Sequence, residues 1–280
     1  TSIQILNDDC LIHIFLQLSI VDRIRIERGV CKRWKALSLE SWHSVKRLDL
    51  SYSMWGFLPA LLKYREITTC TIRKVLLRCG LYLKTIEEIV LECCTSLKEQ
   101  FLSQVNIFSK LQNLKSLTIN KCIGISDNVI QAIGTHYKNL ETLDISNNSF
   151  ILQPNDMLHI AKLTNLKILK ISFNSSVMDE LLSHLASKCL RLTYLDIAAC
   201  FRVTNIGIAA IATLPKLEVL IMSYLDLVTD LNLRDMNNLK RLECRSCKFT
   251  DQTMINLIES APKLELLDLS HCSGITNQTL

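Results

Sequence analysis

Leu114-Lys115-Ser116-Leu117-Thr118-Ile119-Asn120-Lys121-Cys122 is the stretch whose reading decides the fold. It has the form L-x-x-L-x-I-x-x-C, and the same phrase returns along the chain. Copies start at Leu140 (Leu143, Ile145, Asn148), Leu166 (Leu169, Ile171, Asn174) and Leu192 (Leu195, Ile197, Cys200). Others start at Leu217 (Leu220, Met222), Leu239 (Leu242, Cys244, Cys247) and Leu264 (Leu267, Leu269, Cys272). From Leu114 the starts lie 26, 26, 26, 25, 22 and 25 residues apart. Earlier copies begin at Val45 (Leu48, Leu50) and Ile86 (Ile89, Leu91, Cys94). Such an interval predicts one repeated unit, a short strand followed by a helix, that buries its apolar face only by stacking on its neighbours.

The leucine spacing and the period are the signature of a leucine-rich repeat. The expected fold class is α/β, a right-handed solenoid or horseshoe of about nine repeats over residues 45–280. Punctuation supports the period. Ile125-Ser126-Asp127, Val203-Thr204-Asn205, Val228-Thr229-Asp230, Phe249-Thr250-Asp251 and Ile275-Thr276-Asn277 each place a hydroxyl where a helix should start. A hydroxyl there accepts an orphan backbone N–H, and the preceding apolar residue staples the entry. The acid that follows in several copies favours the positive helix end. The 41 residues between the starts at Val45 and Ile86 predict an insertion near 54–66 and a resumed helix over 68–83. The last repeat stops where its helix should begin. An end of a repeat stack needs a polar cap, so further sequence or a partner is expected to cover it.

The chain has 280 residues, 49% of them apolar, with only 7 glycines and 4 prolines, which suits a large core rather than disorder. A net charge of +5 suggests no nucleic-acid footprint, which needs basic residues gathered on one face. No run of ~18 apolar residues offers a membrane span. Of the 12 cysteines, Cys94, Cys122, Cys200, Cys247 and Cys272 share one place in the repeat, where other copies carry Asn148 and Asn174. That place points inward, and a reduced thiol there packs as a small apolar group with a weak donor. Twelve thiols in one core predict a reducing compartment, cytoplasm or nucleus.

Residues 1–44 do not follow the repeat. Asp8 and Asp9 mark a helix start, and seven of the nine residues Cys10–Leu18 are apolar. One helix packed on one side needs a single apolar stripe. The surplus predicts a second face for a partner. Val21–Gly29 reads as a second helix, and a third runs through Val30-Cys31-Lys32-Arg33-Trp34 to Leu37, with Trp42 beyond.

These residues resemble the F-box, whose pattern runs L-P-x-E-x-L-x-x-I-F-x-x-L, then an Asp-led helix, then V-C-x-x-W. Here it reads Leu6-Asn7-Asp8-Asp9-Cys10-Leu11, Ile14-Phe15, Leu18, Val21-Asp22 and Val30-Cys31-Lys32-Arg33-Trp34, with Asn7 in place of the proline. Together with the repeats, the chain resembles F-box proteins carrying cysteine-containing leucine-rich repeats. The resemblance implies a substrate-receptor subunit of a cullin-based ubiquitin ligase. Its front module would dock on the Skp-type adaptor through Leu6, Leu11, Ile14, Phe15, Leu18, Val30, Cys31 and Trp34. An alternative keeps the adaptor contact and drops ubiquitin transfer, leaving a scaffold or inhibitor.

No catalytic or nucleotide motif is present: no G-x-S-x-G, H-E-x-x-H, P-loop or G-x-G-x-x-G. The chain is therefore read as a non-enzyme without cofactor or metal. The C-x-x-C of Cys244 and Cys247 falls on inward repeat positions and reads as core. Function is expected on the strands, whose alternating side chains put the third, fifth and seventh repeat positions on the concave face. There Ile168, Tyr194, Val219 and Ile221 form an apolar group flanked by Asp144, Asp196 and Glu243. Of these, Ile168, Tyr194, Asp196, Val219, Ile221 and Glu243 are the expected contacts to a protein target, with a lysine- or arginine-bearing segment favoured. Neither nucleic acid nor membrane is expected as a partner.

Overall fold

The computed structural model describes residues 5–51, 84–93, 111–122, 127–148, 153–229 and 236–277. The expected insertion near 54–66, the helix over 68–83, and Cys94 lie outside them. The chain divides into two compact units, Thr1–Gly124 and Ile125–Leu280.

The first unit opens with three helices, α1 (Asp8–Gln17), α2 (Ile20–Gly29) and α3 (Lys32–Ser41). Asn7 caps α1 by accepting from the Cys10 amide at 2.8 Å, which is why asparagine serves where the pattern has proline. Ser19 caps α2 through the Asp22 amide at 3.1 Å and donates its hydroxyl to the Asp22 carboxylate. The third helix starts two residues later than the sequence suggested. Val30 and Cys31 form the turn before it, because Cys31 is extended and serves as the N-cap. Leu11, Phe15 and Leu37 make the enclosed core, with Leu6, Ile12, Leu18, Ile26 and Trp34 packed around it. Phe15 and Trp34 meet with ring centroids 5.2 Å apart. Trp42, in a short 3-10 turn, is buried. Its indole N–H donates to Glu27 at 2.7 Å, and the Arg23 guanidinium lies 4.4 Å from its ring centroid.

Three parallel strands follow in the same unit: β1 (Arg47–Asp49), β2 (Glu88–Glu92) and β3 (Ser116–Asn120). Leu48 pairs in register with Ile89, and Ile89 with Leu117, so the fourth repeat position stacks on itself.

The second unit repeats the pattern. Its strands are β4 (Thr142–Asp144), β5 (Ile168–Lys170), β6 (Tyr194–Asp196), β7 (Val219–Ile221), β8 (Arg241–Glu243) and β9 (Leu266–Asp268). They pair in parallel, each with the next, so Leu143, Leu169, Leu195, Leu220, Leu242 and Leu267 form one column. The first five of these are fully enclosed. Between strands run α4 (Asp127–His136), α5 (Pro154–Met157) with a 3-10 turn to Lys162, α6 (Asp179–Lys188), α7 (Asn205–Ala212) and α8 (Asp251–Ser260).

Neighbouring helices approach closely where glycine stands. A methyl group on Gly134 would lie 2.3 Å from the His159 carbonyl oxygen, and one on Gly207 would lie 2.4 Å from Asp179 Oδ1. The polar residues that open these helices bind the next repeat. Asp127 accepts from the Gln153 amide and Asp251 from the Thr276 amide, each at 2.8 Å. Asp179 accepts from the amides of Thr204 and Gly207 and from the Thr204 hydroxyl. The sequence reading had assigned such acids to their own helix dipole. The structure adds a second use as staples between repeats.

Candidate protein-interaction surfaces

The ninth repeat position is where the cysteines and asparagines fall, and in five of the repeats its side chain bonds to the repeat before. Asn174 donates to the carbonyls of Ile145 at 3.0 Å and Ile171 at 2.9 Å, and accepts from the Asn148 amide at 3.1 Å. Thiols take over the link to the preceding repeat elsewhere. Cys122 donates to Leu91, Cys200 to Ile171, Cys247 to Met222 and Cys272 to Cys244, at 3.0–3.4 Å. Burial pushes Cys200 up to about 12 and Cys189 and Cys247 up to about 11. Cys244 moves upward as well. These groups are held as thiols, which suits packing and not redox chemistry. Among the described residues every cysteine is free, no His/Cys/Asp/Glu group could hold a metal, and no helix is long and apolar enough to cross a membrane.

Leaving each of β2–β9, the chain turns through a residue with positive φ. In the second unit these are Asn147, Phe173, Ala199, Tyr224, Ser246 and His271, with φ between 53° and 63°. No glycine stands at any of them, although bulky residues adopt this conformation only at a cost. Hydrogen bonds offset that cost. Phe173 donates its amide to the Ala198 carbonyl, Ala199 to Ser223 and Tyr224 to Arg245, each at 2.8 Å. Fifth-position aspartates close the same turns. Asp144 accepts from the Ser146 amide, Asp196 from Ala198 and Asp268 from Ser270, each at 3.0 Å. These three acids therefore have a structural reason.

Register brings the expected target contacts together. Ile168 pairs with Tyr194 and Tyr194 with Val219, and one pleat on Asp196 pairs with Ile221 and Ile221 with Glu243. All are half-buried except Glu243, which is 8% exposed. Glu243 is not the available carboxylate that the sequence suggested. Arg241 holds it in an ion pair, and Arg245 approaches at 3.7 Å. Arg245 also pairs with Asp268 at 2.6 Å, which helps to bring that carboxyl down to about 2, after the larger effect of the Ser270 hydrogen bonds. The composition never showed that these acids came with their own cations, because the arginines sit two residues away or on the neighbouring strand.

Asp144 and Asp196 differ. They flank Lys170 in the same column, and among the described residues neither forms an ion pair within 4.0 Å. Burial raises the Asp196 carboxyl above its usual range, and Asp144 adds to the effect. Burial and Asp196 raise Tyr194. The Lys170 ammonium lies 5.5 Å from the Tyr194 ring centroid.

The residues expected to dock on the adaptor separate into three sets. Leu11 and Phe15 are fully enclosed, so in this chain they hold the helices together and leave no surface to touch. Leu6, Leu18 and Trp34 are half-buried around them. Ile14 (39%), Val30 (56%) and Cys31 are exposed. The sequence reading could not separate these sets, because a helix apolar nearly all round shows no inward stripe.

No protein-family model matches the chain. A Caenorhabditis elegans protein named "Putative RNA-binding protein EEED8.10" is 28% identical over 174 residues, covering 60% of this chain. The match spans only 24% of that relative's length. Among solved structures, internalin C2 of Listeria monocytogenes superposes with a TM-score of 0.62 at 17% identity, over 92% of this chain and 96% of that one. The Leptospira interrogans leucine-rich-repeat protein LIC12759 gives 0.52 at 18% identity, over 84% and 57%. At such identities the likeness concerns the fold alone.

Proposed function

From the parallel strands, the intervening helices and the solved neighbours, which give an α/β leucine-rich-repeat fold, we infer that the chain binds other proteins. We propose that the chain is a non-catalytic recognition subunit of a cullin-based ubiquitin ligase. Residues 1–44 are its F-box-like adaptor module, and the repeats from residue 45 onward hold the target. Its action would be proximity: a bound target kept where a separate conjugating enzyme reaches its lysines. Cytoplasm or nucleus is the corresponding compartment.

The observation that carries this reading is the outward apolar residue set of the three-helix segment. Leu11, Phe15 and Leu37 already fill its core, yet Ile14, Val30 and Cys31 remain outside it, in the helix and turn where the resemblance puts adaptor contacts. Exposed apolar residues close in sequence and fold mark a partner site more often than scattered ones.

The test is co-purification with a Skp-type adaptor. The double substitution Ile14→Glu, Val30→Glu should abolish capture while the far-ultraviolet spectrum and melting temperature stay put. Undiminished capture would sink the reading. Capture of adaptor without cullin would favour the scaffold or inhibitor alternative.

A second reading, RNA binding, follows from the name of the Caenorhabditis elegans relative. Arg241 and Arg245 are engaged by Glu243 and Asp268, and Lys170 lies between two aspartates, which disfavours phosphate on this face. Salt-dependent retention of single-stranded RNA in filter binding would support that rival.

A further inference from the structure

The strand face of the second unit sorts its charges in a way that points to one kind of ligand. On β8 and β9, Arg241 and Arg245 balance Glu243 and Asp268. On β4–β6, Lys170 is the one cation that the register of the described residues places beside Asp144 and Asp196, so the balance of charge there is negative. Both are half-buried, and Asp196 sits beside the half-buried Tyr194, Ile168 and Val219. Removing a carboxylate from water costs free energy that a matching cation recovers.

The second observation is aromatic. The Asp196 carboxylate closes its turn through the Ala198 amide, and Ala199 is the positive-φ residue of that turn. At the same place in the repeats on either side stand Phe173 and Tyr224, 48% and 44% exposed. The Phe173 amide donates to the Ala198 carbonyl, and the Ala199 amide to the Ser223 carbonyl, so the three turns are directly linked. Small alanines thus lie between two exposed aromatic residues, next to a desolvated acid. Each leaves nearly half of its surface in solvent, and exposed apolar groups lying together mark partner sites.

We propose that this site takes an arginine side chain from an extended segment of the protein target, its guanidinium paired with Asp196 and bounded by Phe173 and Tyr224, with a neighbouring apolar residue resting on Tyr194 and Val219. The inference rests on the reading above that the repeats hold a target, and it names what that target must offer. A planar guanidinium satisfies a carboxylate through two hydrogen bonds and stacks on aromatic rings, which the compact lysine ammonium does not do as well. A phosphorylated segment or RNA would meet the wrong sign of charge.

The probe is an array of short peptides with arginine, lysine, citrulline or glutamate fixed between random flanks, incubated with the full chain. Arginine spots should retain the protein, lysine spots less, and citrulline and glutamate spots not at all. Asp196→Asn keeps the oxygen that accepts from Ala198 and removes only the charge. It should cost arginine binding at least about tenfold. Phe173→Ala should narrow the arginine-over-lysine margin. Asp268→Asn, whose carboxylate already has Arg245, should leave both unchanged. Preference for glutamate, arginine binding indifferent to Asp196→Asn in a protein with an unchanged melting temperature, or no binding above background would each overturn the proposal. Adaptor capture is measured on the same preparations. Its loss with arginine preference intact would tell against the adaptor reading alone. Its retention with no arginine preference would tell against the arginine site alone.

Discussion

The three N-terminal helices and the repeats of the second unit bury apolar residues by different rules. In the repeats each apolar side chain has a place set by register: the leucine of one strand lies on the leucine of the next, and from β4 to β8 that column is enclosed. In the helices a core of three residues is filled while Ile14 and Val30 stay outside. A stack buries its apolar content by adding neighbours, whereas a segment of three short helices has too little interior for its own. What it cannot enclose it can offer to another chain.

The largest expected effect tests that contrast by substitution. Leu195→Ala, in the enclosed column, should lower unfolding free energy by about 2–5 kcal/mol, read from the urea midpoint. Ile14→Glu should move it by less than about 0.5 kcal/mol, as exposed substitutions do. Equal losses would mean that Ile14 belongs to the core and that the contrast is false.

A smaller effect sharpens the account of the repeats. Asn174→Ala removes a buried amide that serves two carbonyls and accepts one N–H. Stranding those groups should cost about 1–3 kcal/mol. Asn174→Cys should recover part of it, since Cys200 makes the same link to the Ile171 carbonyl in the next repeat. No recovery would separate the two residue types that the repeat appeared to interchange.

The smallest effect at neutral pH grows with alkalinity. Cys189, Cys200 and Cys247 titrate at about 11–12 when folded, against ~8.5 in an unfolded chain. A folded value above the unfolded one means that the stabilisation is fully present below ~8.5 and is lost as pH rises toward the folded value. Urea midpoints measured from pH 7 upward should hold level and then fall beyond ~8.5. A flat profile would mean that these thiols are wetter than their burial implies. The three helices, whose Cys10 and Cys31 are exposed, should alkylate at both sites in the native state, while Cys200 and Cys247 react only on unfolding.

Strand positions, their inward leucines and the cysteine–asparagine equivalence were legible in the sequence, because a period of about 25 residues reports the same contact many times over. Leu114, Leu140 and Leu166 predicted each other, and no tertiary information was needed to place them. The N-terminal helices were legible as elements, though the third starts at Lys32 rather than Val30, since a cap depends on one backbone angle at Cys31. Residue-level roles were harder. Nothing in Leu11, Ile14 and Phe15 says which is enclosed, because on a helix apolar nearly all round the inward side is chosen by its neighbours.

What the sequence determined alone was therefore the repeated contact: strand, turn, helix and the side of the strand that faces in. Only the tertiary structure decided which acids meet a cation. Glu243 and Asp268 find arginines two residues away or one strand over, and among the described residues Asp196 pairs with none. Periodicity records what recurs, and ion pairing is a matter of neighbours across strands, which no single repeat contains.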